Sequence, residues 1–129
     1  MSADGAYLYA AAYKHTGSST FTDGRLVTFA TASLNPVAFT ALANYQGVSV
    51  AAITGFAMGG GLECALACDI RVAEEQAQMA LPECTVGLLP GGLGTQHLPW
   101  LIGEGWAKRM ILTNERVDAD TALRIGLVE

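Results

Sequence analysis

In FAMGGGLECALACD, residues 56–69, three successive glycines stand between an apolar run and the carboxylate of Glu63. A second carboxylate, Glu83, follows Pro82 in the otherwise apolar stretch MALPECTVG. Two carboxyls brought to one place can divide acid and base work. Proximity of like charges raises one pKa from its reference of about 4.3, so one carboxyl keeps a proton at neutral pH while the other stays a base. Such a pair can hold a water between them and add it across a double bond. Singly, each says less. A glutamate in the first turn of a helix is favoured there by the dipole and can cap it, and a lone charge in an apolar segment is as readily at the surface as in a pocket.

The glycines supply the complementary chemistry. A strand ending in TGFAMGGG that passes straight into a helix leaves the first helical N–H groups without intrahelical acceptors, at the positive end of the dipole. Glycine permits positive φ and removes the Cβ that would hold a ligand off the backbone. The Gly60 N–H is the expected donor to an oxygen that gains charge during a reaction. Tight strand-to-helix packing is the alternative account of the same glycines. Known phosphate loops fit less well: GGGLEC lacks the Gly-Lys-Ser/Thr ending, has cysteine where a dinucleotide fingerprint needs glycine, and no G-x-S-x-G elbow occurs.

These residues need a scaffold that returns both carboxylates to one end of a sheet. VSVAAITG reads as a strand of a parallel sheet covered on both faces, LECALACD as a short buried helix, and IRVAEE as the next strand. QAQMALPECTVGLLPGGLGTQ reads as a short strand and a second glycine turn, followed by two helices, HLPWLIG and EGWAKRMILT. Asp118 caps ADTALRI and Gly126 stops it. Earlier, the first residues read as a short helical start, HTGSSTFTDG as a loop, RLVTFATASL as a helix, and VAFTALANY as a helix capped by Asn35-Pro36 and ended by Gly47. The alternation implies an α/β fold with mainly parallel pairing, in which a βα turn and the next crossover reach the same sheet end.

The 129 residues, 51% hydrophobic, suit a single domain with a real core (1–129). Seven basic against twelve acidic residues, net charge −5, disfavour nucleic acid and anionic membrane surfaces as partners. The longest weakly polar stretch, 48–62, is a strand and turn rather than a membrane span, and no signal peptide is evident. Cys64, Cys68 and Cys84 have no framework spacing, which suits a reducing compartment and a cytoplasmic protein. With only His15 and His97 elsewhere, no metal site is expected, and the cysteines read as small apolar residues. Arg71, Lys108 and Arg109 read as ion-paired or solvated rather than as ligands of phosphate. Trp100 and Trp106 read as core or interface groups.

VSVAAITGFAMGGGLECALACDIRVAEEQAQMALPECTVGLLPGGLGTQHL resembles the core of the crotonase, or enoyl-CoA hydratase/isomerase, superfamily. GWAKRMILTNERVDADTALRIGLV is similar to the tail that follows it, so the likeness runs from about residue 37 to the end. The resemblance implies a spiral of stacked ββα turns, assembled as trimers or hexamers, acting on acyl-CoA thioesters with no cofactor beyond the coenzyme A of the substrate. It assigns Gly60 to one half of an oxyanion hole, Glu63 to orienting and activating water, and Glu83 to delivering a proton to the α-carbon. Having both acids favours a hydratase over an isomerase, in which Glu83 would shuttle a proton alone. Met58, Gly59 and Gly61, with Pro90 and Gly91 of the second glycine turn, are the expected substrate-binding positions. Departures stand beside these. DGAYL makes Ala6 the candidate second oxyanion donor, Tyr7 replaces an acid, Gly47-Val48 replaces Lys-Pro, and Leu93 and His97 depart from PGxGGTQR. The resemblance also implies a spiral incomplete at both ends, part of a longer or shortened enzyme, for which a silent acyl-CoA-binding or assembly module is the alternative.

Overall fold

Short apolar segments punctuated by glycine set the architecture, seen here in a computed structural model that describes residues 7–13, 24–30 and 48–129. In chain order the elements are β1 (Tyr7–Tyr13), β2 (Gly24–Ala30), β3 (Val48–Thr54), β4 (Phe56–Met58), α1 (Gly60–Leu66), β5 (Ile70–Ala73) and β6 (Gln78–Ala80). A 3₁₀ turn (Pro82–Val86), α2 (Gly94–Thr113), β7 (Val117–Asp118) and α3 (Ala119–Ile125) follow.

Gly55, at φ 65, sits between β3 and β4 and turns the chain from one sheet into another. The first sheet has the order β2-β1-β3-β5 and the second β4-β6-β7. After α1 the chain repeats the manoeuvre: β5 pairs parallel with β3, and β6 pairs parallel with β4. The two corners are tied together, since the Gly55 N–H donates to Glu74 Oε1 at 2.6 Å and the Gln78 N–H donates to the Gly55 carbonyl at 2.8 Å. Each circuit of strand, corner and strand therefore stacks on the last, which is the spiral the resemblance implies. The parallel expectation holds for these two stacking ladders, while the flanking pairings, β1 with β2, β1 with β3 and β6 with β7, are antiparallel.

Two expectations are corrected. RLVTFATASL reads as a helix, yet Gly24–Ala30 forms β2, and the short helical start gives way to β1. β1 is paired along its whole length to β2 on one side and β3 on the other, so ladder hydrogen bonds on both edges outweigh the helix propensity of its alanines. In β2, Val27, Thr28 and Phe29 are residue types at home on a pleated surface. The predicted helix over VAFTALANY, its Asn35-Pro36 cap and Ala6 lie outside the described residues.

α1 is buried from Gly61 to Leu66, as its all-round apolar surface requires, and packs in a core with Met79, Leu81, Leu98, Met110 and Leu127. α2 breaks at Gly103 (φ 76, ψ 160), so the sequence's two helices are two helices. Asp118 accepts from the Thr121 N–H at 2.8 Å, and Gly126 (φ 80) closes α3 with its N–H on the Leu123 carbonyl, both as the sequence predicts.

The last residues are clamped to β5 and the turn after α1 by Arg71, an ion-paired residue as expected, but a buried one. Its Nε donates to the Leu127 carbonyl at 2.9 Å and its Nη1 to the Cys68 carbonyl at 2.6 Å, while Nη2 meets Glu129 Oε1 at 3.0 Å. Bonds run both ways between residues 71 and 129: the Arg71 N–H donates to the side-chain Oε2 of Glu129, and the Glu129 N–H donates to the Arg71 carbonyl. Replacing Arg71 with methionine keeps the buried stem but strands two carbonyls. We expect a loss of about 2–4 kcal/mol, seen as a lower urea midpoint at unchanged slope. A loss below about 0.5 kcal/mol would show the clamp to be dispensable.

Candidate active site

β4 does not stop at Met58: the Gly59 N–H continues its ladder to the Ala80 carbonyl at 2.9 Å. The Gly59 carbonyl then accepts from the Glu63 N–H at 3.0 Å, the first bond of α1. Gly60 therefore carries one of the helical N–H groups that no intrahelical carbonyl reaches, and no acceptor for it lies among the described residues. Gly59 is at φ 55, and a Cβ there would also stand 3.0 Å from Glu83 Oε1. The positive-φ backbone thus favours glycine, and a Cβ would in addition push the Glu83 carboxylate aside by a few tenths of an ångström. Met58, Gly59 and Gly60 are half-buried and Gly61 is buried.

Glu63 points inward and is only 3% exposed. One of its oxygens, Oε1, accepts from the Gly92 N–H at 2.7 Å and from the Gly94 N–H at 2.8 Å. Two backbone donors on a single carboxylate oxygen fix the side chain's direction. Gly94 has no room for anything larger, since a Cβ would lie 2.8 Å from Glu63 Oε1, 3.0 Å from its Cγ and 3.1 Å from Pro90 Cβ. Between the two donors sits Leu93 at φ 75, ψ 7, a left-handed conformation that costs a non-glycine residue about 1–2 kcal/mol.

Glu83 enters from the 3₁₀ turn that follows β6, the strand paired with β4. The residue is half-buried, but its Oε2 is shut off from water with no hydrogen-bond partner among the described residues. Burial pushes its pKa above the ordinary glutamate value. A bond from its own backbone N–H opposes the shift, and the nearby Glu63 charge adds to it. The two carboxyls therefore differ in kind: Glu63 is buried and held by two backbone donors, and Glu83 has an orphaned oxygen and a pKa raised by burial.

The sequence profile of the family described as Enoyl-CoA hydratase/isomerase matches residues 31–129. This chain belongs to the enoyl-CoA hydratase/isomerase family. Among curated relatives, the short-chain-enoyl-CoA hydratase of Clostridium acetobutylicum is 52% identical over 79 residues, 61% of this chain and 30% of that protein. A solved structure of DspI from Pseudomonas aeruginosa superposes with a TM-score of 0.69 at 79% identity, covering 70% of this chain and 37% of that one. The enoyl-CoA hydratase of Bacillus anthracis superposes at 0.70 with 44% identity, over 72% and 36% of the two chains. The chain spans about a third of the length of the proteins it matches.

In this family member the acids expected from sequence, Glu63 and Glu83, and the glycines Gly59 to Gly61 come together at the α1 start. Pro90 is buried against Gly94, whereas Gly91 is exposed and open above its Cα. Sequence reading of the second glycine turn missed Gly92 and Gly94. The signal that finds them is the need of a buried carboxylate for donors, which a glycine-rich turn offers from its backbone. Cys64 and Cys68 are free and buried, and burial pushes their thiols up to about 12 and about 11, so neither serves as a nucleophile. Among the described residues no group of three or more His, Cys, Asp or Glu could hold a metal. No helix among them is long and apolar enough to cross a membrane. Lys108 pairs with Glu104, and Arg109 pairs with Glu115 while lying 4.2 Å from the Trp106 ring centre, so both cations are engaged. Trp106 is half-buried and packs on the core, and Trp100 is 79% exposed.

Proposed function

We propose that this chain carries the hydration centre of an enoyl-CoA hydratase, which adds water across the α,β double bond of an acyl-CoA thioester. The observation that carries the reading is the asymmetry of its acids: a donor-held Glu63 beside a Glu83 whose buried Oε2 lacks a partner and whose pKa is raised. In the forward direction the thioester oxygen accepts from the Gly60 N–H as it gains enolate charge. Ala6 is the second donor in this reading. Glu63 takes a proton from water while the water oxygen bonds to the β-carbon. Glu83 gives its proton to the α-carbon, and the double-bond electron pair forms that C–H bond. The proton on Glu63 then returns to Glu83 through solvent, so the sum is substrate plus one water.

Met58, Gly59, Gly61, Pro90 and Gly91 belong to the substrate-binding surface in this reading, and coenzyme A enters as part of the substrate rather than as a cofactor. Exposed Trp100, Leu89 and Leu112 supply apolar surface for a homo-oligomer, a trimer or hexamer. Three free cysteines fit a reducing cytoplasm.

The test is hydration of a short trans-2-enoyl-CoA in ¹⁸O-water. The expected product is a 3-hydroxyacyl-CoA carrying one labelled oxygen. Migration of a 3-enoyl double bond without labelled oxygen in any product would replace the reading with an isomerase working through Glu83 alone. Acyl-CoA binding with no turnover would replace it with the silent module.

A further inference from the structure

Leu93 is the residue of the second glycine turn that no chemistry so far has used. It is half-buried, left-handed, and flanked by the two glycines whose N–H groups meet on Glu63 Oε1. A left-handed residue between two amides turns them to the same side of the chain, which is how a backbone nest gathers a negative oxygen. The carbonyl of Leu93 is held just as firmly. It accepts from the Gln96 N–H at 3.0 Å and the His97 N–H at 2.8 Å, so the first turn of α2 grips the residue from beyond. A strained conformation fixed from both sides and spent on one buried carboxylate is a positioning device rather than an accident of packing.

We infer that Leu93 is a positioning residue for Glu63: its left-handed backbone, imposed by α2, aims the Gly92 and Gly94 amides and so fixes the carboxylate that activates water. The catalytic arm of this inference rests on the hydratase reading; the structural arm does not. What matters is the conformation and not the leucyl side chain, and that separates it from a packing role.

Three variants of the full chain make the distinction. Leu93→Gly and Leu93→Asn tolerate the left-handed region, whereas Leu93→Val keeps an apolar side chain that is strongly averse to it. Amide hydrogen exchange at Gly92 and Gly94 is the readout that needs no turnover. We expect protection like wild type in the Gly and Asn variants and a drop of about tenfold in Leu93→Val, matched by Glu63→Ala. In the hydration assay Leu93→Val should lose about 10- to 100-fold in kcat with KM within about twofold, and Leu93→Asn should restore it. Unchanged protection at Gly92 and Gly94 in Leu93→Val overturns the inference, as does equal loss in all three variants, which would make the side chain the agent. If Leu93→Val fails to fold, loss of protection or of kcat in folded Leu93→Gly and Leu93→Asn overturns it by itself, and wild-type values in both support it. An inactive wild type with the expected exchange pattern would remove the hydratase reading and leave the nest standing.

Discussion

Replacing Glu83 with glutamine is expected to lower kcat for hydration about 10²- to 10⁴-fold, the range that a positioned proton donor contributes, with little change in KM. The amide is isosteric and fits against Gly59, where Glu83 Oε1 already limits the space. The same variant carries a pH signature. Because burial raises the Glu83 pKa, the folded protein binds this proton more tightly than the unfolded chain does. Its stabilising contribution is fully present below the ordinary glutamate value and is lost as pH rises through the raised one. Glu83→Gln removes that loss, so at neutral pH the variant should be at least as stable as the parent while far less active. In the parent, kcat/KM should fall on the alkaline side as Glu83 gives up its proton, and the variant's residual rate should lack that limb. A pH–rate series with urea melts at matched pH checks both halves. Retained activity with an unchanged alkaline limb would remove Glu83 from the proton path.

The sequence made the acids legible because each sits at an element boundary marked by glycine or proline: Gly59 to Gly61 before α1, Pro82 opening the 3₁₀ turn. The cap of α3 at Asp118 and the break at Gly103 were legible for the same reason, since capping and chain reversal are written in local residue types. Strand β2 was not, because Gly24–Ala30 owes its extended form to a partner, β1, that lies well before it in the chain. Nor was the bond from the PGGLG turn to Glu63. That contact joins residues 29 and 31 positions apart, and its donors are backbone amides, which carry no residue identity. Leu93 was visible as a departure from a glycine pattern, but only the left-handed backbone shows what that departure costs.

Glu63→Gln tests the other half of the pair, and its expected result differs in kind from that at Glu83. The amide oxygen can still accept from the Gly92 and Gly94 N–H groups, so the turn remains satisfied and the fold intact. What disappears is the base: the free end of the side chain becomes a donor where the proton of water must be received. Hydration should fall about 10²- to 10⁴-fold in kcat, while acyl-CoA affinity measured by titration calorimetry stays within about twofold. Exchange of the α-proton of a saturated acyl-CoA with solvent deuterium needs Glu83 as the proton carrier but no water to be activated, so it should survive in Glu63→Gln and vanish in Glu83→Gln. The double variant should be scarcely slower at hydration than either single one, because an acid and a base that act on one water fail as a unit. Additive losses would mean that the two carboxyls work in separate steps, and a Glu63→Gln variant that hydrates at the parent rate would leave Glu63 as no more than the anchor of the second glycine turn.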